Sequence, residues 1–223
     1  MALRVGLIGY KGLFPELPPS ARFYQYAELF STVELPQTRN RIPEKELVLR
    51  WARRAPEGFV YSFQAPKYLT YRPSGDERRT LRKFLRRHRL LGPHRGGVRF
   101  SLPADLEPAA FQEWLSMLAG LELPGEYAFE GAPGLEALAL EAGHAAVRLQ
   151  EGPFLYLVEP EDPPQKARGY AYFHDLKRAL RYSTRAQGGT STNQTRLGVR
   201  SRASPPAYSS TNPPSASRQR TGR

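Results

Sequence analysis

Short strand patterns alternate with amphipathic helix patterns along residues 1–183, and this alternation constrains the fold more than any other feature. We predict eight strands, at residues 4–10, 32–35, 59–65, 97–102, 127–130, 145–149, 154–159 and 170–173. We predict helices at 21–30, 44–55, 77–91, 108–121 and 135–142, and a short one from 175 toward 182. Regular strand–helix alternation implies parallel strands joined by right-handed crossovers.

The number of strands indicates the fold class, a compact α/β protein of the (β/α)8 TIM-like barrel type. For such a barrel 183 residues is short, and strands six and seven leave almost no room for a helix between them. An open doubly wound sheet is the alternative. Gly6, Gly9 and Gly12 lack the spacing of a G-x-G-x-x-G motif, so dinucleotide binding has little support and the sequence specifies no cofactor.

The last 40 residues differ in composition from the rest of the chain. The 223 residues carry a formal net charge of +12, but 184–223 contain seven arginines and no acidic residue. Residues 1–183 keep 26 basic and 21 acidic residues, a net charge of +5. Because 184–223 are rich in Ser, Thr, Pro, Gly and Arg, we predict a disordered tail beyond a barrel domain of 1–183. A genuine basic tail and a frameshifted C-terminus remain alternative explanations.

The composition also excludes several classes of protein. The chain has no cysteine, which excludes a disulfide scaffold, thiolate metal sites and a cysteine nucleophile. No apolar run approaches the roughly 20 residues of a membrane span, and the apolar start is too short and strand-like for a signal peptide. We therefore expect a cytoplasmic protein without a membrane partner. The preference for arginine over lysine suits a bacterial, thermophile-like source.

Strand parity predicts which side chains enter the barrel, because alternate residues face opposite sides and the outer side must be apolar. Strands two to five then place a polar set inside, and strands six and seven offer two further candidates. The set is Glu34, Gln64, Arg99, Ser101 and Glu130, and the further candidates are Arg148 and Glu159. Several of them lie at the carboxyl ends of their strands, where barrel enzymes place their active sites.

Two interpretations of this inward set stay open, because buried charges must either pair or line a wet cavity. In the functional one, Glu34 and Glu130 flank a ligand and act as base, acid or metal ligands. The residues that would orient this ligand are Gln64, Arg99 and Ser101. In the structural one, Arg99 and Arg148 pair with the two carboxylates.

Several short motifs occur in the same order as in a known family. They are GLIGYKGLFP at the start, FSTVE at 30–34, PEGF at 56–59, FQAPK at 63–67, VRFSLP at 98–103, YAFE at 127–130 and YAYFHD at 170–175. Together they resemble the YecE-like family, also called domain of unknown function 72, over about residues 4–176. The resemblance implies a barrel related to TIM barrels, with a largely unassigned biochemical activity.

Several polar positions depart from the pattern of that family. Gln64 stands where the family has a lysine, Tyr71 where it has a histidine, and Ser101 where it has a glutamine. His174 and Asp175 replace an Asn-Asn pair, and the arginine expected soon after strand five is missing. The resemblance therefore indicates a divergent member, or one that has lost the ancestral activity.

The remaining candidate ligand contacts lie at strand ends and in nearby loops. His174 and Asp175 are predicted to reach the barrel mouth, and Tyr10 belongs to a group of aromatic residues that would stack on a sugar or base. The other members of that group are Phe14, Tyr68, Tyr71 and Tyr172. The four histidines lack metal-ligand spacing, so no metal site is predicted.

The predicted helix at 77–91 is strongly basic, with six arginines, one lysine and one histidine. Such a helix attracts a phosphate backbone, but it is also typical of a solvated outer face. The first hypothesis is a barrel that binds a polar small molecule or nucleotide fragment at its mouth, with hydrolase or isomerase-type chemistry. The second is a nucleic-acid-binding barrel that uses this helix and the tail, and the third is a degenerate barrel without catalysis. The oligomeric state is not predicted.

Overall fold

A computed structural model describes residues 3–164 and 168–188, in which eight parallel strands form one sheet with helices on its outer side. The strands are β1 (Leu3–Ile8), β2 (Thr32–Leu35), β3 (Val60–Gln64), β4 (Arg95–Ser101), β5 (Tyr127–Glu130), β6 (Ala145–Ala146), β7 (Leu155–Val158) and β8 (Gly169–Phe173). The helices are α1 (Pro19–Leu29), α2 (Lys45–Arg54), α3 (Gly75–Arg89), α4 (Pro108–Ala119), α5 (Pro133–Glu141) and α6 (Leu176–Gly188). Two short 3-10 helices cover Pro36–Arg39 and Gly92–His94.

The strand order β6-β5-β4-β3-β2-β1-β8-β7 confirms the predicted barrel. The first strand, β1, pairs with both β2 and β8. The first and last strands are therefore neighbours, and the sheet curves into a barrel. The barrel is nearly closed rather than complete. Within the described residues β6 forms no ladder with β7, and Ala146 instead forms an isolated antiparallel bridge with Glu151.

The connections between strands also follow the prediction, with one shift at the C-terminal end. The chain between β6 and β7 forms turns and contains no helix, as the short spacing predicted. A helix does follow β8, and α6 continues to Gly188, beyond the predicted domain boundary at 183. Residues 184–188, predicted as part of the tail, are therefore helical, and the rest of the predicted tail lies outside the described residues. None of the described helices is long and apolar enough to cross a membrane.

The sixth strand is shorter than predicted. It ends at Ala146 because the backbone N–H groups of Arg148 and Leu149 turn toward the carboxylate of Glu136 on α5. The Arg148 side chain is exposed and does not join the interior. The structural interpretation, in which Arg148 pairs with a barrel carboxylate, is therefore wrong for this residue.

The core has an outer and an inner layer. The outer layer packs the apolar strand faces on the helices, as where Phe100 and Phe129 meet Trp114 of α4. The inner layer fills the lumen with tyrosines of β7 and β8, among them Tyr156. Gly97 makes room for this ring, since a Cβ atom at residue 97 would lie 2.9 Å from Tyr156 Cε2. The predicted parity of strands two to five is confirmed.

Candidate functional site

Glu34 lies near the carboxyl end of β2 and is fully buried inside the barrel. Its Oε1 atom accepts hydrogen bonds from Arg99 Nε at 2.9 Å and from Tyr156 OH at 2.6 Å. Its Oε2 atom accepts from Arg99 Nη2 at 2.9 Å and from Gln64 Nε2 at 2.5 Å. A carboxylate has about four acceptor positions, so protein side chains occupy all those of Glu34.

Arg99 links this buried carboxylate to a second one closer to solvent. Its Nη1 atom donates to Glu130 Oε2 at 2.7 Å, while Nε and Nη2 hold Glu34. Burial disfavours the charged guanidinium, but the interactions with Glu34, and then with Tyr156 and Glu130, together outweigh burial and raise the pKa of Arg99 above its ordinary value. The guanidinium is therefore a fixed cation between two carboxylates.

Glu130 ends β5 at the rim of the mouth, where 25% of its side chain is exposed. Its Oε2 atom also lies 3.5 Å from the Ser101 hydroxyl, and its Oε1 atom accepts no hydrogen bond from the described residues. The guanidinium of Arg99 has five N–H groups, of which the two glutamates engage three. One carboxylate oxygen and two N–H groups thus have no partner among the described residues.

The arrangement bears on the two interpretations of the inward set. In the functional one a ligand lies between Glu34 and Glu130, but the Arg99 guanidinium occupies that position. Arg99 contacts both carboxylates, as the structural interpretation proposed for this residue. Glu34 and Glu130 therefore differ in their environment. The first is enclosed by donors, and the second faces the opening.

The structure brings together five of the predicted site residues, Glu34, Gln64, Arg99, Ser101 and Glu130. Tyr10 is not with them, because its ring packs 5.6 Å from that of Phe23 and 5.4 Å from that of Tyr26, on the α1 side of the sheet. Tyr172, predicted as a stacking surface, is buried in the lumen instead. Its hydroxyl lies 2.8 Å from Thr32 Oγ1 and 2.7 Å from Ser62 Oγ.

His174 and Asp175 form a separate group at the end of β8. Glu159 Oε1 accepts a hydrogen bond from the His174 backbone N–H at 2.6 Å and lies 3.0 Å from His174 Nδ1. Glu159 Oε2 forms an ion pair with Arg178 at 2.9 Å. Asp175 Oδ1 accepts the backbone N–H of Arg178 at 2.8 Å and so caps α6. These residues lie at the carboxyl ends of β7 and β8, but the hydrogen bonds of the described chain do not connect them to Arg99.

The sequence interpretation missed Tyr156, which closes the shell around Glu34. Burial first, and then the Glu34 carboxylate, hold its pKa well above the ordinary value, so the hydroxyl stays protonated and donates. On β7, Tyr156 stands between Leu155 and Leu157, which pack on the outer side. This alternation was the sequence signal that could have placed Tyr156 inside the barrel. The described residues contain no group of three or more His, Cys, Asp or Glu side chains placed to hold a metal ion.

The fold and the carboxylate–arginine cluster together define a compact parallel α/β barrel with a polar carboxyl-terminal mouth. The family model described as "Protein of unknown function DUF72" matches residues 9–144, which is more than half of the chain. The chain therefore belongs to the DUF72 family, and the resemblance seen in the sequence is confirmed.

Two crystal structures of a DUF72 family protein from Enterococcus faecalis V583 have a similar fold. One aligns with a TM-score of 0.57 at 14% identity, over 84% of this chain and 97% of that chain. The other aligns with a TM-score of 0.62 at 13% identity, over 88% of this chain and 100% of that chain. At such identities the likeness shows the shared fold alone. No curated protein matches the sequence.

Proposed function

We propose that this chain binds a small polar molecule at the carboxyl-terminal mouth of its barrel, through Glu130, Arg99 and Ser101. One observation carries the proposal: Glu130 presents a partly exposed carboxylate oxygen without a partner among the described residues, beside a guanidinium that Glu34 holds in place. A positioned carboxylate next to a fixed cation binds a ligand that offers both a hydrogen-bond donor and an acceptor.

The chemistry of the ligand follows from the groups that remain available. Glu130 Oε1 accepts a hydrogen bond from a hydroxyl or amino group, and the remaining N–H groups of Arg99 donate to a carbonyl or oxyanion. The Ser101 hydroxyl serves as donor or acceptor at the exposed rim. Hydroxy acids, sugars and nucleosides carry such pairs of groups on neighbouring atoms.

Within this proposal the two carboxylates have different roles. Glu34 is a positioning residue, because its oxygens already accept four hydrogen bonds from side chains. Hydrolase or isomerase-type chemistry would use Glu130 as its acid–base group, since this carboxylate alone of the pair faces the opening. The enclosure of Glu34 also favours the alternative of a barrel that binds without catalysis.

A ligand screen with matched carboxylate variants tests the proposal. The probes are a panel of monosaccharides, hydroxy acids and nucleosides, and the measurement is the Tm followed by calorimetric titration of each stabilising compound. Glu130→Gln removes the proposed contact. Glu126→Gln is the control, because Glu126 is 27% exposed, pairs with Arg168 and precedes β5 at the opposite end of the barrel.

We expect at least one class of compound to raise the Tm of the wild type and of Glu126→Gln, and to leave that of Glu130→Gln unchanged. Binding that survives Glu130→Gln contradicts the assignment of the site. The absence of stabilisation by every compound of the panel contradicts the proposed function itself.

A second candidate, nucleic-acid binding through α3, is supported by the exposed face of that helix. Lys83, Arg86 and Arg89 are exposed and form no ion pair or hydrogen bond with the described residues. Charge reversal of these three residues should then abolish binding to duplex DNA or RNA and flatten its salt dependence. Absence of binding by the wild type at low salt rejects this candidate.

A further inference from the structure

The loops that follow β2 and β3 form a basic rim at the carboxyl-terminal face of the barrel. Residues 36–43 and 65–74 contain four basic residues and no aspartate or glutamate. The basic residues are Arg39, Arg41, Lys67 and Arg72. All four side chains are exposed, and none forms an ion pair or a side-chain hydrogen bond with the described residues. Two neighbouring loops beside the mouth therefore offer unpaired cations.

Hydrogen bonds hold these two loops together. The backbone N–H of Lys67 donates to the carbonyl oxygen of Arg39 at 2.8 Å. Thr38 Oγ1 accepts the backbone N–H of Gln64 at 2.9 Å and lies 2.7 Å from the carbonyl oxygen of the same residue. Thr38 is buried, so water does not compete for these contacts. The main chains of Arg39 and Lys67 are therefore fixed next to each other.

Among the described residues, Glu77 of α3 is the acidic side chain that hydrogen-bonds to the basic rim. Its buried carboxylate accepts the backbone N–H groups of Thr70 at 3.2 Å and Tyr71 at 3.1 Å, and Trp114 Nε1 at 3.0 Å. Burial first, and then Glu77, raise the pKa of Tyr71, and Arg39 opposes both. The charge of Arg39 is therefore within electrostatic reach of the second loop. Four positive charges stand against the single buried negative one.

The charged residues that flank the two loops do not reverse this balance. Glu44 and Lys45 stand together at the start of α2 and offset each other. Asp76 pairs with Arg79 at 3.3 Å on α3. The next loop along the sheet follows β4 and contains Asp105, on the side of the mouth away from β2. The rim above β2 and β3 therefore remains positive.

The mouth is thus basic on one side and acidic on the other. Arg39 and Lys67 follow β2 and β3, whereas Glu130 ends β5. The strand order places β4, with Arg99, between these two sides. Neighbouring strands lie about 4.8 Å apart, so the ends of β3 and β5 are separated by about 10 Å. A molecule that contacts both sides needs an anionic group at one end and hydroxyl or amino groups at the other.

Tyr68 adds an aromatic ring to the basic rim. Three of the large apolar side chains that are exposed in the described chain lie on helices, whereas Tyr68 and Leu149 follow the carboxyl ends of β3 and β6. The side chain directly after Tyr68, that of Leu69, is buried and anchors the loop, so the 48% exposure of Tyr68 occurs on a fixed main chain. An exposed tyrosine ring beside cations is suited to stacking on a sugar or a base.

We propose that the molecule bound at the mouth is a phosphate monoester of a sugar or nucleoside, whose phosphate lies between Arg39 and Lys67 and whose ring stacks on Tyr68. This inference rests on the function proposed above, because Glu130 accepts the hydroxyl or amino groups of the organic part. A guanidinium and an ammonium group on one fixed frame favour a phosphate dianion, which accepts several charge-assisted hydrogen bonds. The other two cations of the rim add to the positive potential that attracts the dianion.

Matched pairs of phosphorylated and unphosphorylated compounds test this proposal on the full-length chain. The probes are adenosine 5′-monophosphate with adenosine and ribose 5-phosphate with ribose, and calorimetric titration at low salt gives each Kd. Arg39→Gln/Lys67→Gln removes the phosphate contacts. Lys177→Gln/Arg181→Gln is the matched control, because it also removes one lysine and one arginine that are exposed, here on α6.

We expect each phosphate to bind the wild type about tenfold more tightly than its unphosphorylated partner, the size of effect that two partly solvated ion pairs produce. Arg39→Gln/Lys67→Gln should reduce this preference to within about twofold, and the control should retain it. Tyr68→Ala should weaken adenosine 5′-monophosphate and adenosine by the same factor, about tenfold, and leave the preference for the phosphate unchanged.

Glu130→Gln separates this proposal from the function on which it rests. It should weaken both members of each pair and leave the preference for the phosphate intact. Unphosphorylated compounds that bind as tightly as the phosphates, and that Glu130→Gln weakens, would overturn the phosphate assignment and support the mouth as a binding site. Phosphates that require Arg39 and Lys67 but bind Glu130→Gln normally would support the basic rim and contradict the proposed function.

Three further results would overturn the proposal. They are a preference for the phosphate that Arg39→Gln/Lys67→Gln leaves unchanged, an equal loss of that preference in the control, and no saturable binding of either phosphate to the wild type. The substituted side chains are all exposed, so an unchanged thermal transition is expected and shows that each variant folds.

Discussion

Two carboxylates of this barrel, Glu34 and Glu136, are both fully buried, yet they bind different kinds of donor. Glu136 on α5 accepts backbone N–H groups from Gly131 at 2.9 Å, Arg148 at 2.9 Å and Leu149 at 2.9 Å. Glu34 accepts side-chain groups only, and Arg99 supplies two of its four hydrogen bonds.

The difference shows what each carboxylate organises. Glu136 fixes the path of the chain, because it ties the loop after β5 to the turn after β6. Glu34 fixes the orientation of Arg99, which in turn faces Glu130 at the mouth. Backbone donors are present in every variant, whereas a side-chain donor can be removed by substitution. The two sites therefore respond differently to mutation.

The largest expected effect is that of Glu136→Gln. The amide replaces one acceptor oxygen with a donor, so at least one buried backbone N–H group loses its partner and the remaining bonds lose their charge. We expect the free energy of unfolding to fall by about 4 kcal/mol. Urea denaturation measures this value, and Glu141→Gln, at an exposed position of the same helix, is the control with a change below about 0.5 kcal/mol.

No second substitution is expected to restore the stability of Glu136→Gln, because the unsatisfied donors belong to the backbone. A loss below about 1 kcal/mol would show that other acceptors or water replace the carboxylate, and that Glu136 does not fix the turn after β6.

The next largest effect is that of Glu34→Gln, which leaves Arg99 without its buried counter-charge. We expect a loss of about 3 kcal/mol. Here a second substitution should help, since Arg99→Met removes the uncompensated cation and should recover about 1–2 kcal/mol. A double-mutant cycle by urea denaturation measures the coupling. Strictly additive losses would contradict the difference between the two carboxylates.

The sequence predicted the side-chain cluster better than the backbone one. Parity is a local property of each strand, so it identified Glu34, Gln64, Arg99 and Glu130 correctly. Glu136 lies on a helix, and its role depends on N–H groups that approach only after the chain has folded. The same contact ends β6 at Ala146, so the further inward candidate Arg148 lies beyond the strand and is exposed.

The order of elements was equally accessible, because strand and helix periodicities are local. The near-closure of the barrel and the filling of its lumen could not be predicted in this way. They depend on tyrosine side chains of β7 and β8 that contact residues of distant strands. Tyr156 reaches Glu34 from the far side of the barrel, a separation of 122 positions in sequence. No short motif signals such a contact.

His88 on α3 is a buried polar group that hydrogen-bonds the backbone of Tyr61 but has one unpaired ring nitrogen, and we expect a smaller effect from it. Its Nε2 atom has no hydrogen-bond partner among the described residues. Burial first, and then Arg95, lower the pKa of His88 to about 3. The folded state therefore binds fewer protons than the unfolded state between that value and the ordinary pKa of about 6.5.

This contribution to stability is fully present above pH 6.5 and is lost as the pH falls toward 3. We expect the wild type to lose about 2 kcal/mol between pH 7 and pH 5 that His88→Phe does not lose. Urea denaturation of both proteins at the two pH values isolates the contribution of His88 to the free energy of unfolding, because their other titrating groups are the same. Parallel pH profiles would show that His88 becomes protonated without cost in the folded state.

The smallest expected effect on stability is that of Glu130→Gln. It compares the two carboxylates that bind Arg99. Glu34 and Glu130 bind the same guanidinium, but Glu130 is partly solvated and its loss leaves the bidentate pair of Arg99 with Glu34 intact. We expect the free energy of unfolding to change by less than about 0.5 kcal/mol. A loss as large as that of Glu34→Gln would make Glu130 a structural partner of Arg99 and remove the main support for a ligand site. A small loss leaves the Glu130 carboxylate without a structural role, because Arg99 then keeps its orientation through Glu34 alone.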